Sequence, residues 1–234
     1  MTNIPFRRWA AFALWTIPLV LLVAVLLEPR LELNLTARFF DPERRVFPFR
    51  STLFGELVRK GLPLLLFLLA GAVALLGGLA ALRHRPLWGV GPRVALYLLA
   101  ALALGPGLVV NVGFKDHWGR PRPSTLVEFS GPNHYVPPLV PSRQCDDNCS
   151  FPSGHAALGF WTIAFALLAP YRWRPAALAA AVGFGGLIGF ARIAQGAHFL
   201  SDVAASGVMV GLTCIFLHRW LIKSSAGHPP DGMG

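Results

Sequence analysis

Six stretches of mostly apolar residues dominate this sequence. They cover residues 9–28, 61–82, 94–114, 155–170, 175–194 and 202–217. A helix needs about 20 mostly apolar residues to cross the hydrocarbon core of a bilayer, and the fourth and sixth stretches are shorter than this. A soluble domain of this length could bury a core, but long uncharged runs of this kind favour a membrane protein. The sequence therefore predicts an all-α, polytopic membrane protein with about six transmembrane helices.

The amino-acid composition supports a membrane protein and limits the kinds of partner that it could bind. Hydrophobic residues make up 54% of the chain and charged residues only 14%, which is little charge for a soluble surface. The net charge of +10 would suggest nucleic acid in a soluble protein, but no basic patch here is interleaved with aromatic residues. We expect a bilayer and no nucleic acid as partner.

The domain organisation is simple. We predict a single domain over residues 1–223 and a disordered, Gly/Pro-rich tail over 224–234. The oligomeric state is left open.

The positions of the charges predict an orientation. One set of span ends carries Arg7, Arg8, Arg83, Arg85, Arg93, Arg172, Arg174, Arg219 and Lys223. The only acid of that set is Asp231, and the other ten of the eleven acidic residues fall on the opposite set. The positive-inside rule places the first set, and with it both termini, in the cytoplasm. The loops 29–60, 115–150 and 195–201 then face outward.

Three polar clusters fall on the predicted outer side. They read K-D-H-W-G-R-P-R-P over 115–123, P-S-G-H over 152–155, and R-I-A-Q-G-A-H-F-L-S-D over 192–202. Lys115, Arg122 and Arg192 together would form a cationic pocket, which suits a phosphate because Arg offers a planar fork and Lys a point charge. The alternative for Lys115 and Arg122 is that each caps a helix end and extends into lipid headgroups.

The second cluster is typical of a helix start that binds an anion. Ser153 is a good N-cap, and Gly154 allows a ligand to approach the backbone. Free amides at a helix N-terminus bind phosphate, which would place His155 beside the anion. The alternative for His155 is a structural histidine at an interface.

The third cluster contains a candidate dyad. His198 and Asp202 are four residues apart and share a face if this segment is helical. The carboxylate could accept a hydrogen bond from one ring nitrogen and leave the other free to attack, although such a pair is more often structural. Two histidines, three cations and a helix N-terminus indicate phosphoryl transfer through a covalent histidine. One histidine attacks phosphorus and the other protonates the leaving oxygen.

This inventory requires no metal and no cofactor. A zinc site would need several Cys, His or carboxylate ligands together, whereas Cys145 and Cys149 are only two close thiols. An oxidising outer compartment favours a disulfide between them, with two free thiols as the alternative.

Together, the motifs K-x6-R-P, P-S-G-H and R-x5-H-x3-D resemble the type 2 phosphatidic acid phosphatase (PAP2) superfamily. The resemblance covers residues 115–202 directly and implies a membrane-embedded catalytic domain. It implies that His198 is the nucleophile, Asp202 its orienting carboxylate, and His155 the general acid that later activates water. Lys115, Arg122 and Arg192 would bind the phosphate with help from Ser153 and Gly154. One departure is that Ala191 replaces the Ser usual before the Arg of the third motif.

The residues around Cys149 and the run F-K-D-H-W-G-R over 114–120 are also similar to bacterial lipid A phosphatase-like members. The resemblance implies hydrolysis of a lipid phosphomonoester or pyrophosphate in a bacterial cytoplasmic (inner) membrane, with the site facing the periplasm. Candidate substrates are lipid A, phosphatidylglycerol phosphate, phosphatidic acid and undecaprenyl pyrophosphate. Lipid-to-lipid phosphotransfer at the same site is one alternative, and a non-catalytic channel or transporter is another. Headgroup contacts could come from His134, Tyr135, Arg143 and Gln144, for most of which an exposed surface role is favoured.

Overall fold

The computed structural model describes residues 6–223, and of residues 6–15 and 116 it describes the backbone alone. The predicted disordered tail and the side chains of Arg7 and Arg8 lie outside the described part. Within residues 6–223 the chain is helical and contains no β-strand. Seven helices follow in order: α1 Phe6–Leu27, α2 Arg30–Ala37, α3 Leu53–Leu82, α4 Pro92–Lys115, α5 Gly154–Leu168, α6 Arg174–Ala194 and α7 Leu200–Lys223.

Four of these helices, α3, α4, α6 and α7, are long and apolar enough to cross a membrane. The apolar part of α1 over Thr16–Leu27 and the whole of α5 are shorter, so the count of six spans stays a prediction. Large apolar side chains such as Leu68 on α3 and Phe216 on α7 are more than 60% exposed. Outward apolar faces of this kind suit contact with lipid chains, since a bilayer offers helices an apolar solvent.

The core lies where α5 packs against α6 and α7, and where α4 packs against α7. Phe160 and Trp161 on α5 are buried there, and the Trp161 indole N–H donates to the Leu98 carbonyl at 2.9 Å. α4 widens to π-helical turns over Ala103–Lys115, around Pro106, which has no N–H to donate. The side chain of Asn111 donates to the Pro106 carbonyl at 2.7 Å. The Asn111 side chain also lies next to Gly154, at the start of α5.

Candidate active site

A cavity of about 440 Å³ opens where α4 and α6 end and α5 begins. Its lining residues are Arg50, Arg59, Lys115, Arg122, Ser124, Thr125, Asn148, His155, Arg192, Gln195 and Ala197. Five of them are basic, and none of them is acidic. Guanidinium and ammonium groups converging on one cavity favour a phosphate or another multivalent anion as its occupant.

The structure brings four of the predicted site residues, Lys115, Arg122, His155 and Arg192, to the wall of this cavity. The other four, Ser153, Gly154, His198 and Asp202, are buried behind that wall. Ala197, which lines the cavity, directly precedes His198 in the chain. Residues of all three sequence clusters are therefore gathered around one site.

His198 is fully buried, and its two ring nitrogens are in different situations. Nδ1 lies 2.7 Å from the carbonyl oxygen of Ser150, which can only accept a hydrogen bond, so Nδ1 carries the proton. Nε2 is buried and has no hydrogen-bond partner within residues 6–223. Burial, with a smaller contribution from the charges of Lys115 and Arg192, lowers the pKa of His198 to about 3, although Asp202 acts in the opposite direction. The ring is therefore neutral near pH 7, with a lone pair on Nε2.

Asp202 does not hydrogen-bond directly to His198, although the four-residue spacing of the two residues had predicted such a bond. Its Oδ2 atom lies 3.7 Å from Nδ1 of His198, which is too long for a hydrogen bond. Oδ2 instead accepts from the Ser150 hydroxyl at 2.5 Å and from the Phe199 amide at 2.7 Å. Its Oδ1 atom accepts from Arg120 at 2.5 Å. Asp202 lies in the first turn of α7, so its carboxylate turns back onto the start of that helix, and Ser150 connects it to the imidazole.

Behind this dyad lies a buried ionic network that the sequence analysis missed. Arg120 is fully buried, and it donates to Glu32 at 2.5 Å as well as to Asp202. Glu32 also accepts from Tyr135 at 2.6 Å and from the Ser201 hydroxyl at 2.5 Å. Burial acts to lower the pKa of Arg120, but the two carboxylates raise it above its usual value. The guanidinium therefore stays charged and joins α2, the loop after α4, and the start of α7.

The start of α5 is built as the sequence predicts for a helix N-terminus. Ser153 is the N-cap, and its hydroxyl accepts from the Ala156 amide at 3.4 Å. A Cβ on Gly154 would lie 2.9 Å from Oδ1 of Asn111, so a larger residue here would displace the Asn111 side chain. Nε2 of His155 lies 3.0 Å from the carbonyl oxygen of Arg59 and donates to it. The Nδ1 atom of His155 remains to exchange a proton with a ligand in the cavity.

Two cations of the cavity, Arg122 and Arg192, are held by neutral groups, whereas Arg59 is paired with Glu56. Arg192 donates to the side-chain oxygen of Gln195, whose amide donates to the Gly55 carbonyl at 2.7 Å. Nε of Arg192 is buried without a partner among the described residues. Arg122 donates from Nε to the Asn148 carbonyl at 2.9 Å, and its pKa is lowered by burial and by repulsion from Arg50. Neutral partners leave the positive charge available to an anion.

Three further cavity residues, Arg50, Arg59 and Gln195, were not identified from the sequence. Arg50 lies between α2 and α3 and Arg59 lies near the start of α3, and no motif marked either residue. Gln195 lies inside the third cluster, between two residues that were identified. A buried glutamine beside a buried arginine is the signal that could have identified it. Ala191, at the position usually held by Ser, packs in an apolar cluster with Val58 and Ile188.

Other candidates, from the loop between α4 and α5, do not line the cavity. None of His134, Tyr135, Arg143 and Gln144 lines it. The sulfur atoms of Cys145 and Cys149 are bonded to each other, with the two Cα atoms 5.6 Å apart. This loop ends at Ser150, the residue that contacts both His198 and Asp202. Within the described residues no three His, Cys, Asp or Glu side chains are grouped as metal ligands.

A comparison with known proteins found a matching family model and several similar proteins. A family model described as the PAP2 superfamily matches residues 94–225. A lipid A 4'-phosphatase of Francisella tularensis subsp. novicida is 47% identical over 132 residues, which are 56% of this chain and 57% of the relative. Lipid A 4'-phosphatases of Rhizobium etli and Rhizobium leguminosarum are 42% and 41% identical over 105 residues, or 45% of this chain and 41% and 45% of those proteins. The chain thus matches about half the length of these relatives. No solved structure matches.

Proposed function

The chain belongs to the PAP2 superfamily, and from this premise we propose that it hydrolyses a phosphate group from a membrane lipid. The observation that carries the proposal is the unpartnered, buried Nε2 of His198 beside a cavity lined by five cations. The relatives named lipid A 4'-phosphatase support lipid A as the first substrate to test. Phosphatidylglycerol phosphate, phosphatidic acid and undecaprenyl pyrophosphate remain the other candidates.

In the proposed first step, Nε2 of His198 attacks the phosphorus atom. An N–P bond forms and the P–O bond to the lipid breaks. His155 enters this step as an imidazolium, with its Nε2–H on the Arg59 carbonyl, and its Nδ1 gives a proton to the departing oxygen. Lys115, Arg122 and Arg192 neutralise the negative charge on the phosphoryl oxygens, which is the main task of a protein in phosphoryl transfer. Ser150 and Asp202 hold the His198 ring in one tautomer throughout this step.

In the second step, His155 removes a proton from water, which attacks the phosphohistidine. The N–P bond breaks, inorganic phosphate leaves, and His198 returns to its neutral form. The step has no redox change, and the proton moves only between His155, water and the lipid oxygen. We propose that no metal takes part, and so phosphate release should persist in excess EDTA. Loss of activity in EDTA that one added metal restores would contradict this.

The proposal also covers the membrane in which the protein lies and its orientation there. We propose six spans in a bacterial cytoplasmic membrane, with both termini inside and the cavity facing the periplasm. The clustering of cations on one set of loops supports this orientation. A membrane-impermeant maleimide should label Val140→Cys in intact spheroplasts but label His84→Cys only after permeabilisation. Both native positions are exposed. The opposite labelling pattern would reverse the orientation.

The test of the activity is phosphate release by the purified protein from a panel of lipid phosphates. We expect release from at least one lipid phosphate, together with an acid-labile phosphoryl group on the protein. His198→Ala should remove both. Release that depends on an added lipid acceptor instead of water would identify a phosphotransferase. Absence of release from every lipid phosphate would overturn the proposal.

A further inference from the structure

A second cavity of about 480 Å³ lies beside the phosphate cavity and shares Arg50 and Ser124 with it. Its remaining wall comes mainly from the segment between α2 and α3, with Phe129 from the loop after α4. The two cavities are therefore neighbours, and a group bound in the first could extend into the second. None of the residues predicted as catalytic or phosphate-binding lines the second cavity.

Three phenylalanine rings form an apolar wall of this second cavity. Phe40, Phe47 and Phe129 pack with their ring centroids 5.2 to 5.5 Å apart. Phe47 and Phe129 are buried, and Phe47 also fills the space next to Gly196, where a Cβ would lie 2.4 Å from the ring. Gly196 has a φ of +63°, so glycine is favoured there on both counts. The wall is therefore fixed by packing before any ligand arrives.

The polar rim of the cavity is positive. Arg45 and Arg50 line it, both are exposed, and neither guanidinium makes an ion pair or hydrogen bond within residues 6–223. The lining acid, Glu56, is paired with Arg59 at 2.6 Å and with Lys60 at 2.8 Å. Two unpaired arginines above an apolar wall favour a ligand that has both a nonpolar face and a negative charge.

We infer that the second cavity binds the sugar ring of a glycolipid headgroup together with a second anionic group on that sugar, while the first cavity holds the reacting phosphate. The inference rests on the proposed function and narrows its candidate substrates to lipids whose headgroup is a sugar with a second anionic group. A pyranose ring has an apolar face of axial C–H groups, which suits the phenylalanine wall. Arg45 and Arg50 bind the second anion. A lipid whose headgroup is a bare phosphate leaves this cavity unused.

The test compares phosphate release by the full-length protein from three lipids. These are a sugar lipid with two phosphates, the same lipid with only the reacting phosphate, and phosphatidic acid. Replacing Arg45 by Gln removes one charge-assisted contact, worth about 1.5–3 kcal/mol, or roughly a 10- to 100-fold change in kcat/KM. Arg45→Gln should lower the kcat/KM for the bisphosphate by that factor relative to the other two lipids, mainly through KM.

Arg44→Gln is the matched control. Arg44 is the preceding residue, its side chain is 80% exposed, and it does not line the cavity. The variant changes the net charge by the same amount, and its ratios among the three lipids should equal those of the wild type. Equal ratios in the Arg45 variant would overturn the inference, as would an equal loss on all three lipids. If the wild-type protein releases phosphate from none of them, the proposed function itself fails.

Discussion

The 440 Å³ cavity lies between a buried region and an exposed region that differ in how their polar groups are satisfied. On the side of α7, His198 and Asp202 are fully buried, and both oxygens of Asp202 accept hydrogen bonds. On the side of the segment between α2 and α3, Arg50 is exposed, and its guanidinium has no partner among the described residues. Under the proposed mechanism, the buried side holds the nucleophile, His198, in place before substrate arrives. The exposed side would offer positive charge to an anionic substrate. Such a contrast is expected when catalytic groups are held rigidly by the protein and recognition groups are paired only by the ligand.

The largest effect should come from the buried nucleophile. His198→Ala should lower phosphate release by roughly 10⁴-fold or more, the scale seen when a covalent nucleophile is removed. His117→Ala is the control, because His117 is exposed and does not line the cavity. Phosphate release by purified variants with equal monodispersity in detergent is the measurement. Full turnover by the His198→Ala variant would show that His198 is not the nucleophile.

The next prediction compares two arginines that are two residues apart. Arg120→Met leaves Glu32 and Asp202 buried without their cation, so it should cost about 3–5 kcal/mol of stability. Arg122→Met removes a half-buried cation from the cavity wall. It should lower phosphate release by roughly 10²–10³-fold with little change in stability. Melting temperature in detergent and phosphate release, measured on both variants, separate the two roles. Similar melting temperatures would show that the ionic network does not hold the site together.

A smaller effect is expected from Ser150, which connects Asp202 to the His198 ring. Ser150→Ala removes a hydrogen bond to a buried carboxylate, worth about 1.5–3 kcal/mol, so kcat should fall roughly 10- to 100-fold. KM should change little, because Ser150 does not line the cavity. Ser206→Ala is the matched control. It removes another buried hydroxyl, which donates to the Asp202 carbonyl at 2.8 Å but not to the carboxylate. Equal losses of kcat in the two variants would contradict a positioning role for Ser150.

The smallest change is expected in the protonation of His198. Its pKa is lowered to about 3, so the neutral form should persist as pH falls from 8 to 5, whereas an ordinary histidine gains its proton near 6.5. Histidine-selective NMR in detergent tests this. The signal that is missing in the His198→Ala protein should not shift between pH 5 and 8. A midpoint near 6.5 for that signal would show that the buried wall does not hold a neutral nucleophile.

Much of the site could be predicted from local sequence. Lys115, Arg122, His155 and Arg192 were predicted from charge and helix-start patterns, and all four line one cavity. The Ser153 N-cap was predicted from the same signals and is present. Helix bounds agree to within a few residues for α4 and α6, because long apolar runs between polar ends specify a helix whatever packs around it. The direct His198–Asp202 hydrogen bond is not formed, since packing places Ser150 between them.

The sequence alone determined the helical character of this chain, its long apolar helices and the residue types gathered at the cationic cavity, since these follow from local composition and spacing. Only the tertiary structure decided that Glu32 pairs with Arg120, 88 residues away, and that Arg50 and Arg59 complete the cavity. Such contacts depend on how separate helices pack. The partner of a buried charge cannot be read from the sequence, because it depends on which side chains the fold brings together away from solvent.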